Sequence, residues 1–270
     1  MTTINLLDTG INTGTFNMAV DFFMARNHLD KPIFRIYRWD PYCISLGYHQ
    51  KLEEIDISRC KKDGIDIVRR ETGGRAVFHS EEITYSMIIP KTSEFYSDSI
   101  LEVYNKISDV LVKTLKLSGV KGAELESGKA PNFKELYKEK ISSVCFSSTS
   151  TYEVVVNGKK LVGSAQKRLK DSVLQHGSIL FGKKHLELID YLNVAEKRKS
   201  RLKEMTMNKT ITVEDSSENK DFELFYKTFK TNLSLALSEE FNILVDEVAL
   251  NEDELLKIRE AEKHFDLNLT

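Results

Sequence analysis

Cysteine is scarce in this chain: three residues in 270, Cys43, Cys60 and Cys145, with no CxxC spacing. An odd, scattered set argues against a disulfide framework and against a cysteine zinc site. Long apolar runs are also missing, and nothing approaches the roughly 20 residues needed to span a bilayer. The opening MTTINLLDTG lacks a charged segment followed by an apolar core, so it does not read as a signal peptide. Neither charge sign dominates, since 39 Lys and Arg face 41 Asp and Glu for a net charge of −2. Without a global basic field there is no argument for nucleic acid. A cytoplasmic protein with no metal, membrane or nucleic-acid partner is the simplest expectation.

What is present is a patterned chain, 41% hydrophobic and 30% charged. Its length suits one large α/β or α+β domain. Residues 16–29 carry apolar side chains at helical spacing, with Asn17 as candidate N-cap. FRIYRW (34–39), CISLGY (43–48), IDIVRR (65–70) and ITYSMIIP (83–90) read as strands, with a short helical stretch near 51–63. Residues 97–119 place Val103, Ile107, Val110 and Leu115 on one helical face, and Gly119 stops it. Residues 123–140 have no clear period and read as a loop with some helix. A short strand is expected over 144–146 and another over 152–156. The latter meets Asn157-Gly158, a strong hairpin cue because a type I′ turn needs positive φ at both positions. The return strand is 159–168, and 172–181 continues the meander. Beyond 182 the pattern turns helical, with Phe222, Phe225, Phe229, Leu233, Leu237 and Phe241 on one face and a last helix over 251–264. The expectation is one domain over 1–270 with a mostly helical part from 182 onward. Its class is α+β, mixed sheets flanked by helices.

One stretch resists a purely structural reading. RRETGGRAVFH (69–79) joins Arg69, Arg70 and Arg75 to Gly73-Gly74 and ends on His79. A glycine pair marks a tight turn or a backbone closely approached by something else, and clustered arginines suggest that the something is anionic. Elsewhere Cys43 and Cys60 sit among structural neighbours, whereas Cys145 precedes a Ser/Thr-rich loop and a lysine-bearing hairpin. Spacing leaves Cys145 open between a small buried residue and a nucleophile. It leaves Lys160 open between a solvated hairpin lysine and a chemical one. Gly163, Ser164 and Ala165 are small enough to admit a ligand. His176-Gly177 offers a second histidine beside a glycine that could equally be a bulge. His79 is open between an acid or base and a satisfied polar residue.

Taken together, NMAVD (17–21), FRIYRW and CISLGYHQ (34–50), RRETGGRAVFH (69–79), ITYS (83–86), CF and YEVVVNGKKLVGSAQKR (145–168) and LQHGSIL (174–180) resemble the biotin/lipoate protein ligase superfamily. The likeness covers nearly all of 16–205 and is greatest to lipoate-protein ligases and octanoyltransferases. It implies the catalytic-domain fold of that superfamily, with an acyl pocket beside the sheet. The implied substrate-binding residues are Arg70, Gly73, Gly74, Arg75, Ala76, Val77, His79, Gly163, Ser164, Ala165, His176 and Gly177. Arg75 stands where the ligases have a third glycine, which resembles the octanoyltransferase branch. There the residue matching Cys145 carries the acyl group as a thioester, and the lysine matching Lys160 lowers its pKa. The resemblance therefore implies octanoyl-acyl carrier protein as donor, a lipoyl domain or glycine cleavage H-type protein as acceptor, and no cofactor. The alternative it leaves is a lipoate-protein ligase working through lipoyl-AMP with ATP and magnesium.

Overall fold

The computed structural model describes residues 3–126 and 153–267. Its strands are β1 (Thr3–Asn12), β2 (Ile33–Trp39), β3 (Cys43–Leu46), β4 (Asp66–Arg69), β5 (Val77–His79), β6 (Glu82–Pro90), β7 (Ala123–Leu125), β8 (Val154–Val156), β9 (Lys159–Arg168), β10 (Ser172–Leu180) and β11 (Leu244–Val248). The helices are α1 (Gly14–Asn27), α2 (Ile57–Lys62), α3 (Ile100–Leu117), α4 (Glu196–Lys209), α5 (Val213–Ser216), α6 (Phe222–Phe241) and α7 (Glu252–Ala261). Among the described residues, eight strands form a mixed sheet in the order β11-β1-β2-β6-β10-β9-β8-β7, and β4-β3-β5 form a second, three-stranded sheet. This is the mixed-sheet architecture flanked by helices that the pattern predicts. No helix among the described residues is long and apolar enough to cross a membrane.

Strand alternation divides the large sheet into two unlike faces. Phe34 and Ile36 of β2 and Ile83, Tyr85, Met87 and Ile89 of β6 point into an apolar core beneath α3 and α6. Both helices supply apolar stripes, with Val103, Ile107, Val110 and Leu111 from α3 and Phe225, Phe229 and Leu233 from α6. The opposite face packs on α1. That helix is buried around most of its circumference, so its sequence shows no narrow stripe.

The β8–β9 hairpin turns through Asn157 and Gly158 at φ 52° and 69°, the positive pair a type I′ turn requires. Other expectations need correction. Helix α1 begins at Gly14 and its cap is Thr13, whose hydroxyl accepts from Phe16 N–H at 3.4 Å. Asn17 lies inside the helix instead, fully buried, donating to the carbonyls of Asn12 and Arg38. Strands β1, β7 and β11 are not in the predicted pattern: β1 and β11 pair in parallel at one edge of the large sheet, and β7, in the stretch read as a loop, pairs with β8 at the other. The expected strand at 144–146 lies outside the described residues.

Candidate functional site

Between the α1 face of the large sheet and the small sheet lies a cavity. It holds about 410 Å3 of space unfilled by atoms, part of it open to solvent. Met18 of α1, Tyr37 and Trp39 of β2, and Val77 of β5 give it an apolar wall. The backbone of β9 and β10 closes it at Gly163, Ser164, Ala165 and Gly177. Gly177 is required by the packing behind this wall, where Tyr85 lies. A Cβ on Gly177 would meet the Gly163 carbonyl at 2.6 Å and the Ser164 hydroxyl and Tyr85 ring at 2.7 Å.

Polar groups reach the pocket only through a connected buried network. Arg35 and Asp21 form an ion pair at 2.7 Å, with side-chain exposures of 0% and 2%. Asp21 also accepts from Ser86 at 2.7 Å, Tyr37 at 3.1 Å and His176 Nδ1 at 3.3 Å. Burial pushes the Asp21 carboxyl up, but Arg35 and the His176 bond outweigh it and hold the group below its ordinary value. A buried carboxylate with this many donors is stable as the anion. Burial drives the Tyr37 phenol well above its ordinary range, with Asp21 adding to the effect.

His79 is built in a similar way. Its ring stacks on Trp39 with centroids 4.0 Å apart, and its Nδ1 lies 2.7 Å from Glu82 Oε1. The same oxygen accepts from Thr84 at 2.6 Å and Ser178 at 2.8 Å. Trp39 Nε1 donates to Thr84 at 2.7 Å, which fixes the stacking partner.

Two of the three arginines of 69–75 are engaged by backbone carbonyls. Arg69 donates from one nitrogen to the carbonyls of Gly47, Tyr48 and Gln50. Arg70 is buried, and its Nε bonds Thr72 Oγ1 at 3.2 Å. Its Nη1 donates to the Ser45 carbonyl and hydroxyl, and its Nη2 to the carbonyls of Gly73 and Arg75. A guanidinium has five N–H donors, and here each has a protein partner. The glycine pair serves this loop. Gly74 takes φ +97°, and its carbonyl sits 2.1 Å from where a Cβ on Gly47 would stand. A Cβ on Gly73 would meet nothing within 4 Å.

The cavity thus gathers Arg70, Val77, His79, Gly163, Ser164, Ala165, His176 and Gly177 from the expected set. Gly73, Gly74 and Arg75 lie on the adjoining loop, and Ala76 is fully buried in the core between the small sheet and residues 183–202. Lys160 is neither solvated nor at a tip. It is the second residue of β9 and buried, with its ammonium 2.5 Å from Glu153. Cys145 lies outside the described residues. The other two thiols are disarmed by burial, which drives Cys43 well above its ordinary value and Cys60 to about 12.

Asp21, Arg35, Ser45, Thr72, Glu82 and Ser178 are missing from the sequence-based set, although each holds part of this wall. For Asp21, Arg35 and Glu82 the visible signal is a charge inside an apolar stretch, in α1, in β2 and at the start of β6.

The pattern of the lipoyl protein ligase A/B catalytic domain matches residues 13–234. The chain belongs to that family. Among curated relatives, Octanoyltransferase LipM of Staphylococcus aureus is 38% identical over 246 residues, covering 87% of this chain and 88% of its own. The protein of the same name from Clostridioides difficile is 37% identical and covers 93% of this chain and 92% of its own. In solved structures, the bipartite lipoate protein ligase of Thermoplasma acidophilum superposes with a TM-score of 0.77 at 23% identity, over 97% of this chain and 93% of that one. A lipoate-protein ligase A bound with ATP gives 0.71 at 24% identity, over 97% and 94%. These structures establish the shared catalytic fold.

Proposed function

We propose that the protein is an octanoyltransferase of protein lipoylation, taking the acyl group from octanoyl-acyl carrier protein and giving it to a lysine of a lipoyl-domain or glycine cleavage H-type protein. The observation that carries the reading is a pocket with an apolar wall, closed by Gly163 and Gly177, in a chain similar to named octanoyltransferases along nearly its whole length. An eight-carbon chain suits such a wall because its burial is favourable at about 0.8 kcal/mol per methylene.

In this reading Cys145 is the nucleophile. Its thiolate attacks the thioester carbonyl, the new Cys145 thioester forms, and the carrier's thiolate leaves and takes up a proton. The deprotonated acceptor amine then attacks the Cys145 thioester. An amide forms, the amine's remaining proton passes to solvent or a base, and the Cys145 thiolate is regenerated. Thioester exchange is nearly isoenergetic and amide formation is downhill, so neither step needs ATP.

Lys160 is the residue proposed to favour the thiolate and to steady the developing oxyanion. The buried carboxylate of Glu153 beside it reduces the net positive field that it exerts.

Incubation with octanoyl-acyl carrier protein in the absence of nucleotide and magnesium tests the assignment by intact mass. One octanoyl adduct on Cys145, removed by hydroxylamine and absent from Cys145→Ser under turnover conditions, is the expected result. Full activity of Cys145→Ala with strict dependence on ATP and free lipoate would make the protein a ligase instead.

A further inference from the structure

The two pocket histidines share one construction. In the first chain, Asp21 meets His176 Nδ1 at 3.3 Å and His176 Nε2 meets the Thr72 hydroxyl at 2.6 Å. In the second, Glu82 meets His79 Nδ1 at 2.7 Å and His79 Nε2 meets the Ser45 hydroxyl at 2.7 Å. Both chains end on the same guanidinium, because Arg70 donates to Thr72 Oγ1 and to Ser45 Oγ, each at 3.2 Å.

The two ends fix the direction of the outer bonds. A guanidinium only donates and a carboxylate only accepts. Each hydroxyl therefore accepts from Arg70, and each imidazole donates from Nδ1 to its carboxylate, which leaves its Nε2 facing the hydroxyl. Burial, which outweighs the neighbouring Asp21, keeps His176 below its ordinary value.

The other donors of Arg70 grip the carbonyls of Ser45, Gly73 and Arg75. Backbone on both sides of Gly74 thus hangs from a group held by the large sheet and the small one together. Neither Gly73 nor exposed Gly74 has a side chain to anchor the loop.

We propose that His79 and His176 are positioning residues, which through Ser45, Thr72 and Arg70 hold the Gly73–Gly74 loop against the pocket and so set affinity for the acyl donor. The loop-holding part stands on geometry alone; the acyl donor rests on the transferase reading.

Hydrogen–deuterium exchange of the peptide spanning 71–76 reads the loop directly, alongside KM and kcat with octanoyl-acyl carrier protein. Thr72→Val keeps the side-chain shape and removes the hydroxyl, whereas Thr72→Ser retains it. Losing one buried bond should speed loop exchange about tenfold in Thr72→Val and raise KM about as much, with kcat within about twofold. Thr72→Ser should stay close to the wild type in all three. Combining Thr72→Val with Ser45→Ala should give less than the product of the two effects on exchange, because both release the same arginine. Unchanged exchange in Thr72→Val, faster exchange with unchanged KM, or a Thr72→Ser as impaired as Thr72→Val would overturn the proposal. A wild-type protein that transfers no octanoyl group sinks the transferase reading while the exchange data still decide the loop.

Discussion

The two faces of the large sheet are made by the same strands and do opposite work. On β6, Ile83, Tyr85 and Met87 lie in the core under α3 and α6, while the alternate residues Glu82, Thr84 and Ser86 feed the network around the pocket. On β2, Phe34 and Ile36 alternate with Arg35 and Tyr37 in the same way. The apolar face holds the fold through burial, which needs volume but no direction. The polar face gains little net stability from its bonds, yet each one specifies an orientation. The candidate site lies on the face where geometry is most constrained, beside an apolar cluster that packs the same face on α1.

The widest separation between the faces should come from one substitution on each. Asp21→Ala strands Arg35 in the interior and should cost about 3–5 kcal/mol, with octanoyl transfer per folded molecule lost. Phe229→Ala, in the opposite core, should cost a similar 3–5 kcal/mol while leaving transfer per folded molecule near wild type. Urea melts with matched activity assays separate the cases; equal activity losses in the two variants would erase the division.

Gly177→Ala probes the pocket wall from behind, because Gly177 stands opposite Tyr85 and its Cβ would point into the core under α3 and α6. Its methyl group would stand within 2.7 Å of Gly163 O, Ser164 Oγ and the Tyr85 ring. Overpacking of this kind costs about 1–3 kcal/mol, and by shifting the β9–β10 backbone it should also raise KM for the acyl donor. An unchanged KM would show that the core behind the wall repacks without moving it.

The smallest expected effect is on pH dependence. His176 and His185 are both held below their ordinary value, chiefly by burial. The unfolded chain therefore takes up protons first as pH falls through about 6.5, so stability present above that point declines toward the folded values. The melting temperature should drop between about pH 7 and pH 5, and His176→Gln should flatten part of that limb. A melting temperature that rises on acidification would contradict this lowering.

The apolar face was largely legible in sequence because burial imposes a period. The stripes of α3 and α6, the β6 strand and the Asn157-Gly158 turn all follow from such patterns. Strand β1 escaped because Asp8, Thr9 and Gly10 interrupt its alternation, and β11 because a short edge strand buries too little to show any. The polar face was legible only in part. His79, His176 and Arg70 stand in recognisable motifs, but Asp21, Glu82, Ser45 and Thr72 join them through contacts between distant segments that no local spacing encodes. Sequence suggests an anion for the three arginines, and it cannot say that carbonyl oxygens of nearby loops lie within reach of Arg69 and Arg70.

The parallel pairing of β1 with β11, in which Thr3 stands opposite Leu244, bears on the timing of assembly. During synthesis β1 can meet β2 as soon as the intervening helix emerges, but its outer edge must wait for almost the whole chain. The entropic toll of so long a closure grows only logarithmically with separation, so the finished contact is affordable at equilibrium. Contacts remote in sequence are nevertheless slow to form. Until that last strand arrives, a nascent chain carries an open β edge, and this is the interval in which it is most exposed to pairing with a neighbour.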